Sequence, residues 1–399
     1  MPVRASGGGS TRLAILAVAL ALAAGCIPLV PRAPQTVPPV PATARLLGVK
    51  PGPALSGRQL AQADAAAALA SFAESCPRLL RRTDASGLTR PADWQTACTA
   101  ATNWPQGDAA GFFARQFETA QVGNGAAFAT GYYEPEIAGV RQRQPGYDTP
   151  VYALPPDLVR AWPDDKPPEE RMGQPPLGRM DENGRLVPYY DRAQIEAGAL
   201  AGKGLEIAWV ADPVEFFFLQ VQGSGRLIGP GGQVMRIGYA GQNGRAYAGI
   251  GSLMRQRGLI GTGPGQYAGS MQGIMQYLRE RPAEGRALMR ENPSWVFFRE
   301  LTGDGPLGAL EVPVRRGNSV AADPAYVPLG APVLLDVDRA EAGGLWIAQD
   351  TGGAIKGPNR FDTFWGAGED ARVVAGGMSA RGTALVLLPK GTLARLRGQ

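Results

Sequence analysis

The stretch Ala348-Gln349-Asp350-Thr351-Gly352-Gly353-Ala354-Ile355-Lys356-Gly357, continuing to Arg360-Phe361-Asp362-Thr363-Phe364-Trp365-Gly366, is where the chain is most informative. It places one aspartate at the end of a strand-like run, Leu345 to Gln349, and a second aspartate twelve residues later. Between them Gly352, Gly353 and Gly357 permit positive φ and close approach of the main chain to a ligand, so the loop can bend sharply. Phe361, Phe364 and Trp365 flank Asp362, and apolar surroundings disfavour ionisation and raise a carboxyl pKa. Spacing alone leaves two roles open for Asp362: a catalytic acid, or a turn-capping or salt-bridged side chain. The dinucleotide-like run Gly366-Ala367-Gly368-Glu369-Asp370-Ala371 is read as coincidence, because too little chain follows it to complete a βαβ unit.

Composition narrows the chemistry. The 399 residues include no histidine and three cysteines, so a Ser-His-Asp triad, a Cys-His pair and a His-ligated zinc site are all excluded. Without the usual proton carrier near neutral pH, carboxylates, Lys and Tyr remain as general acids and bases, carboxylates first. Neither a phosphate-binding GxxxxGK[ST] loop nor a GxSxG or SxxK serine motif occurs. No metal or cofactor is expected.

The first residues read as an export signal. Arg4 and Arg12 precede an apolar run from Leu13 to Ala24, too short for a membrane span of about 20 residues. It ends in Leu22-Ala23-Ala24-Gly25-Cys26, which resembles a bacterial lipoprotein processing site, so residues 1–25 are expected to be a signal peptide and Cys26 to carry lipid. Ile27 after that Cys suits sorting to the outer membrane; ordinary cleavage into the periplasm is the alternative. Residues 26–58 are proline-rich, with Pro28, Pro31, Pro34, Pro38, Pro39 and Pro41 favouring an extended tether. Removal of Arg4 and Arg12 lowers the formal charge from +5 to +3, too little to argue for nucleic acid but compatible with an anionic wall polymer. Cys76 and Cys98 then form an even pair, for which a disulfide is the natural reading in an oxidising compartment and two buried thiols the alternative.

Gln59 to Leu80 has helical apolar spacing, with Pro77 near its end; Asp191 to Gly202 and Ser270 to Arg281 also read as helices. Strand candidates are Val151 to Ala153, Leu205 to Val210, Phe216 to Val221, Val234 to Tyr239, Ala309 to Val314, Val333 to Val337, Leu345 to Gln349 and Ala384 to Leu388. Short, irregularly spaced strands with little helix between them argue for a small barrel of mixed strands over a doubly wound sheet.

Further motifs accompany the two aspartates: Thr130-Gly131-Tyr132-Tyr133-Glu134-Pro135, Gln222-Gly223-Ser224-Gly225, Gly238-Tyr239-Ala240-Gly241-Gln242-Asn243-Gly244, Asn292-Pro293-Ser294-Trp295-Val296-Phe297-Phe298 and Ser319-Val320-Ala321-Ala322-Asp323-Pro324. In this order, ending on Asp350-Thr-Gly-Gly-Ala-Ile-Lys-Gly and Arg360-Phe361-Asp362, they resemble the membrane-bound lytic murein transglycosylase A family. The departures are Trp295, where the family often carries Tyr, and Gly317-Asn318 before Ser319. The resemblance implies a mainly β fold with some α: a double-psi β-barrel from residues 59–136 and 290–399, an inserted second β domain at 137–289, and a substrate groove between them. It implies that Asp362 is the catalytic aspartate and Asp350 a supporting acid.

In such a groove Tyr132, Tyr133, Trp295 and Trp365 are candidates to stack on sugars, and Thr130, Gln222, Ser224 and Asn292 to hydrogen-bond them, with core packing the alternative for the aromatics. Phe216, Phe217 and Phe218 read as core, Asp323 as a turn residue and Lys356 as a loop charge. The implied reaction cleaves the bond between N-acetylmuramic acid and N-acetylglucosamine in peptidoglycan and closes a 1,6-anhydro ring. Alternatives are an inverting hydrolase using Asp350 and Asp362, or a non-catalytic wall-binding lipoprotein. Expected partners are peptidoglycan glycan strands, the outer membrane through the lipid, and cell-wall synthesis or division proteins.

Overall fold

The computed structural model describes residues 40–55, 60–303 and 305–398; Cys26, the export signal and most of the proline-rich segment lie outside the described residues. Three strands precede an insertion: β1 (Val49–Pro51), β2 (Phe117–Val122) and β3 (Ala126–Glu134). The insertion carries β4 (Glu136–Val140), β5 (Thr149–Tyr152), β6 (Val159–Arg160), β7 (Leu177–Met180), β8 (Leu186–Val187), β9 (Glu206–Val210), β10 (Ser224–Ile228), β11 (Val234–Gln242) and β12 (Val296–Glu300). Five more complete the chain: β13 (Ser319–Ala322), β14 (Pro332–Val337), β15 (Gly344–Asp350), β16 (Arg360–Ala367) and β17 (Ser379–Pro389).

The outer segments make one sheet in the order β1-β2-β17-β14-β15-β13-β16-β3, and an added β17–β3 pairing closes it on itself. The closed part is therefore a six-stranded barrel of β3, β13, β14, β15, β16 and β17. Its pairings are mixed, parallel for β13–β15 and β16–β3 and antiparallel elsewhere. Closure removes the exposed edges that an open sheet of this size would present. Ala129, Val333, Ile347, Phe361 and Leu387 fill the interior and its surroundings with no exposed surface. Helix Gln62–Leu79 lies against β15 and buries Phe72, which packs edge-on to Phe117 at 5.4 Å. The structure joins Cys76 on this helix to Cys98 on helix Gln95–Ala101, with Cα atoms 5.5 Å apart.

The second lobe is a six-stranded sheet, β12-β11-β10-β4-β9-β5, with a small three-stranded arm, β6-β7-β8. Its core is aromatic, built from Tyr189, Phe216, Trp295, Phe297 and Phe298. Helices Ile250–Gln256, Met271–Glu280 and Pro282–Arg290 form an adjoining cluster around Met254, Met275 and Leu288. Among the described residues no helix is long and apolar enough to cross a membrane.

Several expectations need correction. Phe216 to Val221 is not a strand but the heart of helix Pro213–Gln222, which Asp212 starts by accepting from the amides of Val214 (2.7 Å) and Glu215 (3.3 Å) and Gly223 ends at φ 81°. All three phenylalanines are buried, as core residues should be. Ala309 to Val314 forms turns rather than a strand, interrupted by Glu311 at φ 58°. The helix expected over Asp191 to Gly202 is only Arg192–Glu196 before turns take over. β12 pairs with β11, so the inserted lobe runs past residue 289 and the barrel resumes after Glu300. Finally, the tether stops short of residue 58: Val49–Pro51 adds a strand to β2, Ala44 is fully buried, and the Tyr326 hydroxyl donates to the Pro41 carbonyl at 2.7 Å.

Candidate active site

Barrel register brings the two aspartates together. β13 lies between β15 and β16, and its Ala321 is the register partner of Asp350 on one side and of Asp362 on the other. Thr130 of β3 pairs with Asp362 on the far side, so Asp350, Ala321, Asp362 and Thr130 form one row across four strands. Row neighbours share a face, and ordinary strand spacing puts the two aspartate Cα atoms roughly 10 Å apart. Ala321 is the small residue that leaves room between the two acids. The connecting loop turns at Gly357 (φ 94°) and Asn359 (φ 54°), the latter anchored by donation from its Nδ2 to the Val122 carbonyl at 3.0 Å. After Phe364 the β16–β3 register shifts around Gly366 (φ 86°), a bulge of the kind that re-aims side chains beside functional sites.

The two carboxyls differ in how they are held. Asp350 is clasped on both oxygens: Oδ1 accepts from the amides of Ala309 and Thr351, each at 2.8 Å, and Oδ2 accepts from the Tyr132 hydroxyl at 3.0 Å. Asp362 has one engaged oxygen, Oδ1, which accepts from the Thr130 hydroxyl at 2.5 Å. Burial pushes the Asp362 carboxyl up to about 6; the Thr130 hydrogen bond and the Arg360 guanidinium oppose the rise, and Asp350 adds to it. Asp350 also rises to about 6 through burial, against the pull of its two backbone donors and Tyr132. A half-buried carboxylic acid with one free oxygen and a pKa near 6 can donate a proton at mildly acidic to neutral pH and take one back.

Thr130 thus serves Asp362, which corrects its reading as a sugar contact: its hydroxyl proton is already committed. Tyr132 is 7% exposed, with its ring against Phe364 at 5.0 Å and its hydroxyl on Asp350, so it supports the second acid and offers no free face. Tyr133 is packed in the barrel core, and its amide donates to Gln222 Oε1 at 3.1 Å, which ties β3 to the end of helix Pro213–Gln222. Asn292 is 2% exposed and accepts from the amides of Ala248 (3.1 Å) and Ser294 (3.3 Å), shaping a turn instead of facing solvent. Trp295 is 3% exposed inside the second lobe, beneath the Arg192 guanidinium at 5.1 Å. Trp365 donates from Nε1 to Thr363 Oγ1 at 3.0 Å and packs on Trp346. None of these four rings has a face available for stacking, because burial against the cores consumes it. Ser224 remains half-buried as the first residue of β10. Lys356 is exposed on the loop, and Asp323 caps a turn by accepting from Ala325 at 3.0 Å and reaches Gly357 N at 2.8 Å.

Sequence reading missed Tyr247. It comes from the inserted lobe, is 38% exposed, and its Cβ lies 3.6 Å from where a side chain at Gly353 would begin. Its hydroxyl is raised by burial, with Arg192 opposing and Asp362 adding to the rise, so the two lobes meet electrostatically at this residue. Three residues beyond the Gly238 to Gly244 motif, it had only that proximity to signal it.

Comparison with known proteins agrees with this architecture. Residues 128–299 match the family model described as the MltA specific insert domain, and residues 318–388 match the 3D domain. Curated relatives named membrane-bound lytic murein transglycosylase A from Vibrio cholerae and Escherichia coli K12 are 31% and 33% identical over 65% of this chain. The match spans about two thirds of those relatives, 66% and 64% of their lengths. A membrane-bound lytic murein transglycosylase structure from Agrobacterium tumefaciens superposes with TM-score 0.75 at 29% identity, covering 88% of this chain and all of that one. The Neisseria gonorrhoeae MltA structure is 34% identical, with TM-score 0.68 over 89% of this chain and 98% of its own. An Escherichia coli MltA structure with bound chitohexaose covers 80% of this chain and 89% of its own, at 27% identity and TM-score 0.56. Barrel, insert and paired acids therefore converge on one assignment: the chain belongs to the membrane-bound lytic murein transglycosylase A family.

Proposed function

We propose that the protein is a lytic transglycosylase that cleaves the β-1,4 bond between N-acetylmuramic acid and N-acetylglucosamine in peptidoglycan, with Asp362 as its single acid and base. The observation that carries this is the asymmetry of the two carboxyls: Asp350 is held on both oxygens, while Asp362 has one oxygen free and a pKa near 6. Asp362 donates its proton to the glycosidic oxygen as the bond to C1 breaks and the sugar gains oxocarbenium character. The resulting carboxylate takes the proton of the C6 hydroxyl, whose oxygen bonds to C1 and closes the 1,6-anhydro ring. The acid is regenerated within one turnover. Because the nucleophile belongs to the substrate, its effective concentration is high and no bound water is needed. That an Escherichia coli MltA structure carries bound chitohexaose supports a glycan as the ligand.

An inverting hydrolase needs a second carboxylate free to activate water, with the two carboxyls about 6.5–9.5 Å apart. Asp350, clasped by two amides and a tyrosine, fits a support role better. Digestion of purified sacculi, with muropeptides weighed by mass spectrometry, decides between them. Asp362→Asn should lose at least about 10³-fold, within the range general acid–base groups supply, together with the product one water lighter. Full activity in that variant overturns the assignment, and a water-heavier product from the native protein points to hydrolysis. Glycan binding should persist in Asp362→Asn, since groove contacts supply it.

Anchoring through a lipidated Cys26 at the periplasmic face of the outer membrane belongs to the same reading, supported by the Leu-Ala-Ala-Gly-Cys run and by relatives named membrane-bound. Cys26→Ala should leave catalysis intact and move the protein to the soluble fraction. Retention in the membrane would refute lipidation there.

A further inference from the structure

We infer that Arg360 and Thr130 form a relay that fixes which oxygen of Asp362 carries the proton, so that both are positioning residues for the reaction; this rests on Asp362 being the acid. Arg360 Nη2 donates to Thr130 Oγ1 at 2.9 Å, and a guanidinium can only donate. That occupies a lone pair of the hydroxyl and leaves its single proton for Asp362 Oδ1, 2.5 Å away. Oδ1 is thereby held as an acceptor, and the transferable proton resides on Oδ2, the oxygen with no hydrogen-bond partner among the described residues.

The relay is itself fixed. Thr130 and Asp362 are register partners in the β3–β16 ladder, and Thr363 Oγ1 donates to the Thr130 carbonyl at 2.9 Å while accepting from Trp365. The Arg360 guanidinium also donates to the Phe361 carbonyl and lies against the Phe128 ring at 4.9 Å, a ring that Arg381 also approaches at 4.6 Å. No carboxylate forms a described ion pair with Arg360. Its charge is available to Asp362, and the two groups act on each other electrostatically. The other groups facing Asp362 are Asp350 from β15, Tyr132 from β3 and Tyr247 from the inserted lobe, while β13 presents only Ala321. The donors on this face that favour the Asp362 carboxylate are therefore the two members of the relay.

The test compares native protein with Thr130→Val, Thr130→Ser and Arg360→Gln. Valine keeps the shape and β-branching of threonine and removes only the hydroxyl, whereas serine restores the donor. Two readouts are taken: the pH profile of kcat/KM for muropeptide release, and the ¹³Cγ titration of Asp362, assigned by its loss in Asp362→Asn. Thr130→Val should move the basic limb and the carbon titration upward together by about one pH unit and reduce kcat at least tenfold. Thr130→Ser should restore both, and Arg360→Gln should shift both in the same direction as valine. Unmoved midpoints in Thr130→Val, or a serine variant no better than valine, overturn the relay. Asp362→Asn assayed alongside separates the two failures: activity retained there removes the acid itself, while the carbon titration still reports on the relay.

Discussion

At the residue scale the site rests on a carboxyl kept against its preference. Asp362 ionises near pH 6 in the fold, whereas a free aspartate does so near 3.9. A folded-state pKa raised above the unfolded one means that stability is fully present below about pH 4 and is lost as pH rises through 6. The loss is on the order of 2 kcal/mol, discounted for the partial exposure of the carboxyl. Asp362→Asn removes that cost, and its Oδ1 still accepts from Thr130. The variant should therefore melt a few degrees above the native protein at pH 8 and at the same temperature near pH 4, by calorimetry. An equal gap at both pH values would show that the carboxyl is not held in an unfavourable state. The proposed acid and the cost in stability thus fall on the same carboxyl.

At the scale of elements, the sequence made three of the six barrel strands legible and hid the helix that abuts the barrel. β14, β15 and β17 were readable because each holds a short apolar run with Gly or Pro at a boundary, and the Asp350 to Asp362 loop because glycine spacing marks its turns. Helix Pro213–Gln222 reads as a strand because Phe216 to Leu219 is a short continuous apolar run, which has no period to distinguish helix from strand. The Asp212-Pro213 start and Gly223 stop were the better signals, because capping chemistry is local while burial is not. The aromatic site candidates failed for a related reason. Tyr132, Tyr133, Trp295 and Trp365 lie in informative motifs, but membership of a motif says nothing about which side of a sheet a ring occupies. Thr130 and Asn292 were found as important polar residues and misassigned in role, since Asp362 and the Ala248 amide, which engage them, lie far away in sequence.

At the scale of the whole molecule, two lobes are joined where the chain enters the insertion at Glu134-Pro135-Glu136 and leaves it after β12, and one arginine touches both crossings. Arg236 on β11 pairs with Glu134 at 3.2 Å and donates to the Gly303 carbonyl at 2.9 Å. Glu134 is 2% exposed, and burial raises its carboxyl above the usual range while Arg236 and Arg226 pull it back. Removing one partner of such a pair leaves an uncompensated buried charge, which costs more than the pair contributes while intact. Arg236→Met should therefore destabilise the protein by about 3 kcal/mol at pH 7.5 in urea unfolding. Without the arginine the Glu134 carboxyl rises further, so the deficit should shrink as pH falls toward 4 and Glu134 takes up a proton. The double variant Arg236→Met/Glu134→Gln carries no buried charge and should recover most of the loss at pH 7.5, giving a coupling energy well above the additive expectation. A single-variant deficit that is independent of pH, or a double variant no more stable than Arg236→Met, would show that Arg236 acts through packing and its bond to Gly303 alone. Because both crossings pass this residue, the same variants should loosen the approach of Tyr247 to the Gly353 loop, and so lower kcat/KM on sacculi at pH 7.5 even though no group touching Asp362 has changed.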